Sequence, residues 1–390
     1  MFSIENFYNV LYTNLLKPLH INGKYFYPFG STNVADLVKI IPAHQGSRVM
    51  HDCVFHDQEP IFKNLGDQLV MAHDLGVYHK KINILANSEY SEVKRSICKE
   101  HQLLDWYYFY HGFAALDWYR DYQYFSEVEC QYTKVFMSLN RLVTNDRSYR
   151  LALVSLFLEK NLIDKGVVSL HLNDQGWGNW IDELSNPNTK LSHYQIEFIK
   201  KHVGRLTGSI IADTDNPRGS LSADAGSTEL SFNKSALWHV VSETVFYYDK
   251  LHLTEKIFKP IVSKRPFIMV AAPGNLAYLK SYGFRTFDHW IDESYDSEKD
   301  NLIRLEKIAT EVEKLCNLSP ADLKKMHAEM KEVLEFNFNH FYGIFKNIIV
   351  REMLDNFKSI AGQWNNGRVD GRNMDLSLLD FEAIEKRLLQ

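Results

Sequence analysis

Residues 243–271 read E-T-V-F-Y-Y-D-K-L-H-L-T-E-K-I-F-K-P-I-V-S-K-R-P-F-I-M-V-A. A β-rich run, 236–246 (ALWHVVSETVF), leads in, a tight turn follows, and a helix is predicted from Thr254 to about Lys264. A second apolar run, 266–271 (PFIMVA), comes straight after. Strand, turn, helix and strand in that order make a parallel-sheet unit, so this stretch sets the fold class as α/β.

The same rhythm continues outward in both directions. Downstream lie a helix at 274–282 and three helical stretches after about residue 300. Upstream, strands are predicted at 134–139, 166–172 and 208–212, with helices at 145–160 and 191–204 and a long polar loop at 213–234. The first part carries predicted strands at 49–55, 81–86 and 104–109, with helices at 60–74 and 90–101. No internal repeat interrupts the pattern. At 390 residues the chain is longer than one core usually grows. The expected domains are 1–130, 131–335 and a helical extension, 336–390, that packs back on the first.

Composition narrows the function classes. Hydrophobic residues make up 45% and charged residues 24%, as in a folded globular protein. A net charge of −5 gives no global cationic field for coating nucleic acid. Four cysteines, at 53, 98, 130 and 316, have no metal-like spacing and read as reduced, buried thiols. The opening MFSIENFYNVLYTNLLKPLH lacks a basic leader, and no run approaches the ~20 apolar residues of a membrane span. A cytoplasmic protein without a membrane span is the expectation. No Gly-rich dinucleotide loop, phosphate loop or G-x-S-x-G elbow occurs, so dehydrogenase, NTPase and hydrolase readings lack their usual anchors.

Thr254 is a good N-cap, and the first helical turn beyond it leaves amides free for an anion. Lys256 would add a full positive charge, and Glu255 would accept from ribose hydroxyls. The spacing alone also fits an ordinary capped surface helix with a Glu-Lys pair. At 138–150 (SLNRLVTNDRSYR) a strand ends on Asn-Arg before a helix, and Arg141 could hold two phosphate oxygens at once. Alternatively, Arg141, Arg147 and Arg150 form a solvated helix start.

T-E-K-I-F-K-P, then P-F-I, Gly274, Gly283-Phe284, Phe287 and Asp292-Glu293-Ser294-Tyr295-Asp296, resembles a glycosyltransferase signature. Residues 134–296 are similar to the donor-binding half of fucosyltransferase-like and exostosin-like enzymes, and to bacterial and phage glycosyltransferases. The resemblance implies two Rossmann-like domains (the GT-B architecture) with a helical C-terminal extension, and a nucleotide-sugar donor. It implies that Glu255 and Lys256 contact the donor's ribose and phosphate, with Thr254, Arg141 and Glu243 as the other donor-binding residues. Inversion at the anomeric carbon follows from it too. No cofactor and no divalent metal is expected to be required. Asp213-Thr214-Asp215 matches a metal-binding Asp-X-Asp pattern but is discounted, because three residues recur by chance.

In the first half, V-F-H-D-Q-E-P-I (54–61) sets His56, Asp57 and Glu59 where a strand ends, the usual place for a ligand crevice. Asp57 is the first choice of catalytic base and Glu59 the second, although Glu-Pro also simply opens helices. The aromatic stretch 105–120 offers His111, Trp118 and Arg120 as an acceptor wall. For His111 the plainer reading is a structural histidine, and Arg120 also fits a helical ion pair with Asp117. The acceptor is read as a glycan or lipid-linked saccharide. The alternatives are a hydroxymethylated base in DNA and a non-catalytic nucleotide-sugar-binding or carbohydrate-binding protein.

Overall fold

Strands that read as unbroken apolar runs belong in parallel sheets, and the two four-stranded sheets are parallel throughout. The computed structural model describes residues 2–23, 53–56, 83–124, 127–174, 178–212, 230–366 and 374–390. The architecture is α/β and compatible with a Rossmann-like arrangement. The chain divides into two compact units, Met1–Arg120 with Ile344–Gln390, and Asp121–Gly343.

The first unit opens on α1 (Ile4–Leu11), capped by Ser3, with Ile4, Phe7, Tyr8 and Leu11 buried at helical spacing. Its sheet runs β1 (Asn22–Gly23), β2 (Cys53–His56), β3 (Asn83–Asn87) and β4 (Leu104–Tyr107) in sequential order. Between β3 and β4 lies α2 (Glu92–Glu100), capped by Ser91. After β4 the chain enters α3 (Tyr110–Trp118), in which every position is buried. Here sequence and structure part. The strand expected at 104–109 stops at Tyr107, and Gly112 falls inside the helix that follows. A Cβ on Gly112 would lie 3.1 Å from Phe345 and 3.2 Å from Ile349, so the missing side chain admits a neighbouring helix.

The second unit holds β5 (Lys134–Asn140), α4 (Tyr149–Glu159) and β6 (Gly166–Leu170). The residue facing Phe136 across β5 and β6 is Gly166, where a Cβ would sit 2.6 Å from the phenyl ring. The two-residue antiparallel strands β7 (Asn173–Asp174) and β8 (Gly178–Asn179) precede α5 (Trp180–Ser185) and α6 (His193–His202). The strand expected at 208–212 is only an isolated bridge, Leu170 to Ile210. After α7 (Leu230–Ser235) come β9 (Ala236–Ser242), buried at all seven positions, and a 3₁₀ turn, Glu255–Ile257. Then follow α8 (Phe258–Val262), β10 (Phe267–Val270), α9 (Asn275–Ser281), α10 (Asn301–Cys316) and α11 (Pro320–His340).

A π-helical segment, Phe341–Phe345, leads to α12 (Lys346–Asn366), and α13 (Phe381–Leu389) ends the chain. Within the first unit α12 packs on β4 and α13 on α1. Trp106 of β4 is fully buried, donates its indole N–H to the Met353 carbonyl at 3.1 Å and meets Phe357 edge-on at 5.0 Å. Cys98, Cys130 and Cys316 are buried free thiols. Among the described residues no helix is long and apolar enough to cross a membrane.

Candidate functional site

The order of the second sheet is β10-β9-β5-β6. The chain enters at β5, steps to β6 on one side, then crosses to β9 and β10 on the other. Successive crossovers therefore part at β5 and β9, and in open α/β sheets ligands bind beyond the carboxyl ends of the two strands at such a point.

Those two ends are joined by Asn140, which is fully buried. Its Oδ1 accepts from the Ser242 hydroxyl at 2.9 Å, and its backbone N–H donates to Ser169 Oγ at 2.9 Å. Three strand ends, those of β6, β5 and β9, are thus tied through this one residue. The next residue on β5 is Arg141, which is exposed, and the next on β9 is Glu243, whose side chain is fully buried. Thr254 donates its hydroxyl to Glu243 Oε2, closing the loop 243–254 at its base. The Lys256 ammonium lies 3.1 Å from Glu255 Oε1, 3.3 Å from Thr254 Oγ1 and 3.4 Å from Thr244 Oγ1. It is 34% exposed, so an anionic ligand can reach it and would compete with Glu255 for it.

The chain matches no family model, no curated protein and no solved structure.

Thr254 caps as its sequence suggests, its hydroxyl accepting from the Lys256 amide at 3.4 Å, but the helix expected to run from there to Lys264 is a 3₁₀ turn followed by only five α-helical residues. A dipole summed over so few peptides is small, so charge neutralisation here falls on side chains. The alternative of a solvated helix start does not hold for Arg150. That residue is buried and donates to the carbonyls of Leu142 and Ser242, both at 3.0 Å. Sequence reasoning missed two further supports of the loop, Asn275 and Arg304. Asn275, fully buried, accepts from His252 N–H at 2.8 Å and donates to the carbonyls of Lys250 at 2.8 Å and Ala272 at 2.9 Å. Arg304 donates to the Phe246 carbonyl at 2.7 Å with its guanidinium over the Phe246 ring, and burial lowers its pKa to about 10, which leaves it charged at neutral pH. Asp296 accepts from Leu276 and Ala277 amides at 2.8 and 3.0 Å, and burial still raises its carboxyl above the ordinary value. A lone cation in the apolar run Y-R-L-A-L-V (149–154) was a legible signal for Arg150, because a buried charge needs partners.

In the first unit His56 is the last residue of β2, in register with Ala86 of β3. Asp57 and Glu59 lie outside the described residues, as do the helix expected at 60–74 and Asp213-Thr214-Asp215. Beside His56 on the sheet edge, the residues after β3 include buried Ser88 and Glu89, the latter accepting from the Ser91 hydroxyl. His111 and Trp118 sit on α3, each 6% exposed, so both face into packing. Arg120 pairs with Asp117 as a helical ion pair. Among the described residues no group of three or more His, Cys, Asp or Glu could hold a metal ion.

Proposed function

We propose that the chain is a glycosyltransferase whose second unit binds the diphosphate of a nucleotide-sugar. One observation carries this reading: the sheet divides at β5 and β9, and the residues just beyond those ends bring Arg141 and the Glu243–Thr254–Lys256 cluster to the carboxyl edge. Departure of the sugar leaves negative charge on the diphosphate. Fixed cations that grip it more strongly in the transition state supply the rate enhancement without a divalent ion. Glu255, tethered at Lys256, accepts from the donor's ribose hydroxyls. The acceptor is a glycan hydroxyl, deprotonated in an inverting attack by Asp57, Glu59 or His56 at the end of β2.

Titration with UDP-, GDP-, CMP- and dTDP-sugars tests the donor site. A ligand at 100 times its Kd raises unfolding stability by about 2.7 kcal/mol. Lys256→Ala and Arg141→Ala should each cost about 1.5–3 kcal/mol of donor affinity, the value of a charged hydrogen bond. Unchanged binding in both variants sinks the assignment.

A further inference from the structure

At the carboxyl edge of the first sheet, Asn87 of β3 is paired with Tyr107 of β4. Of the residues that follow β3, Ser88 and Glu89 turn inward, while Tyr90 is 37% exposed. The Tyr90 ring lies flat on that of Tyr107, with 3.8 Å between centroids and 17° between planes. Tyr107 is itself buried, with the Lys94 ammonium 5.6 Å from its centroid. Lys94 is held in turn by Asp105 at 2.6 Å and by the Asn87 carbonyl at 3.1 Å. From α12, Asn356 donates to the Tyr107 carbonyl at 3.0 Å and hydrogen-bonds the Tyr90 hydroxyl, with the Glu352 carboxylate close by. Two strands and two helices thus fix a half-exposed ring with an amide and a carboxylate at its margin.

The chemistry around the ring selects what can lie on it. The C–H face of a pyranose packs on an aromatic plane, and its hydroxyls can donate to a carboxylate and exchange hydrogen bonds with an amide. A base could also stack there, but a nucleic-acid strand needs cations along its phosphates. Among the described residues, the two lysine and arginine side chains of the adjoining helix turn are committed, Lys94 to Asp105 and Arg95 to Glu92. We propose that Tyr90, flanked by Glu352 and Asn356, is the platform on which a neutral saccharide acceptor stacks. This rests on the transferase reading and narrows its glycan acceptor to a neutral saccharide held at Tyr90.

The test uses the full chain on an array of neutral oligosaccharides, with an oligonucleotide containing 5-hydroxymethylcytosine as competitor. Wild type should retain a set of glycans that the oligonucleotide does not displace. Tyr90→Ala should weaken them about tenfold, Tyr90→Trp should stay within about threefold, and Glu352→Gln should fall between, matching ~1.4 kcal/mol for a stacked ring. Equal melting temperatures for Tyr90→Trp and wild type separate this from misfolding. No glycan bound, glycans bound equally by Tyr90→Ala, or displacement by the oligonucleotide each overturn the platform. Nucleotide-sugar binding is read separately. Tyr90-dependent glycan binding without donor binding leaves the platform standing and removes the transferase reading, and donor binding without Tyr90 dependence removes the platform alone.

Discussion

Beyond β5 and β9 the reachable groups among the described residues include Arg141 and the Lys256 ammonium, whereas beyond β3 and β4 they include the Tyr90 ring and the Glu352 carboxylate. Both edges belong to parallel sheets, yet their supports differ in kind. The β3/β4 edge is held by ring stacking and one half-buried ion pair. The β5/β9 edge is held by polar side chains, Asn140, Arg150, Asn275 and Arg304, that bond the loops. The lesson is that a sheet edge acquires its ligand preference from what is left exposed after the loops have been tied down. A loop fixed by buried hydrogen bonds can present a charge in one place, which is what a compact anion requires.

The strongest break in this comparison is Trp106→Ala. It empties the contact with Phe357 and strands the Met353 carbonyl, at a cost of about 3–5 kcal/mol in denaturant unfolding. Nucleotide-sugar affinity should survive, and its equal loss would show that the two edges are not separately supported. Next comes Asn275→Ala, which removes the side-chain partner of two buried backbone groups, the His252 N–H and the Lys250 carbonyl, each worth about 1–3 kcal/mol. Donor affinity should drop about tenfold or more, and saccharide binding at Tyr90 should not move. The smallest effect is acid sensitivity at His327, whose ring meets the Tyr132 hydroxyl at 3.0 Å. Burial and the neighbouring Arg265 lower its pKa to about 4. The unfolded chain takes up that proton first, near pH 6.5, so stability is full above about pH 6.5 and declines as pH falls towards 4. His327→Gln should flatten that part of a melting-temperature profile, and an unchanged slope would exclude this ring as its cause.

The strands were legible because parallel-sheet strands leave long apolar runs. Those of β5, β6, β9 and β10 stand near their expected positions, and α2 and α6 sit behind their Ser caps. The stretch 105–120 misled because a helix buried on all sides shows no periodicity, so its aromatic residues look like a strand continuing. The helix after Thr254 was overextended because one cap says where a helix begins and nothing about its length. Asn275 and Arg304 could not be read at all. Their partners lie 25 and 58 residues away, and only the folded sheet brings them together.

The core around Trp106 is completed by Met353 and Phe357, which a ribosome makes only after all of residues 121–343. During synthesis the contiguous unit can close while the first sheet still waits for its covering helix. The earliest-made strands are therefore the last to be sheltered, and in that interval their edges are open to chaperones and to mispairing.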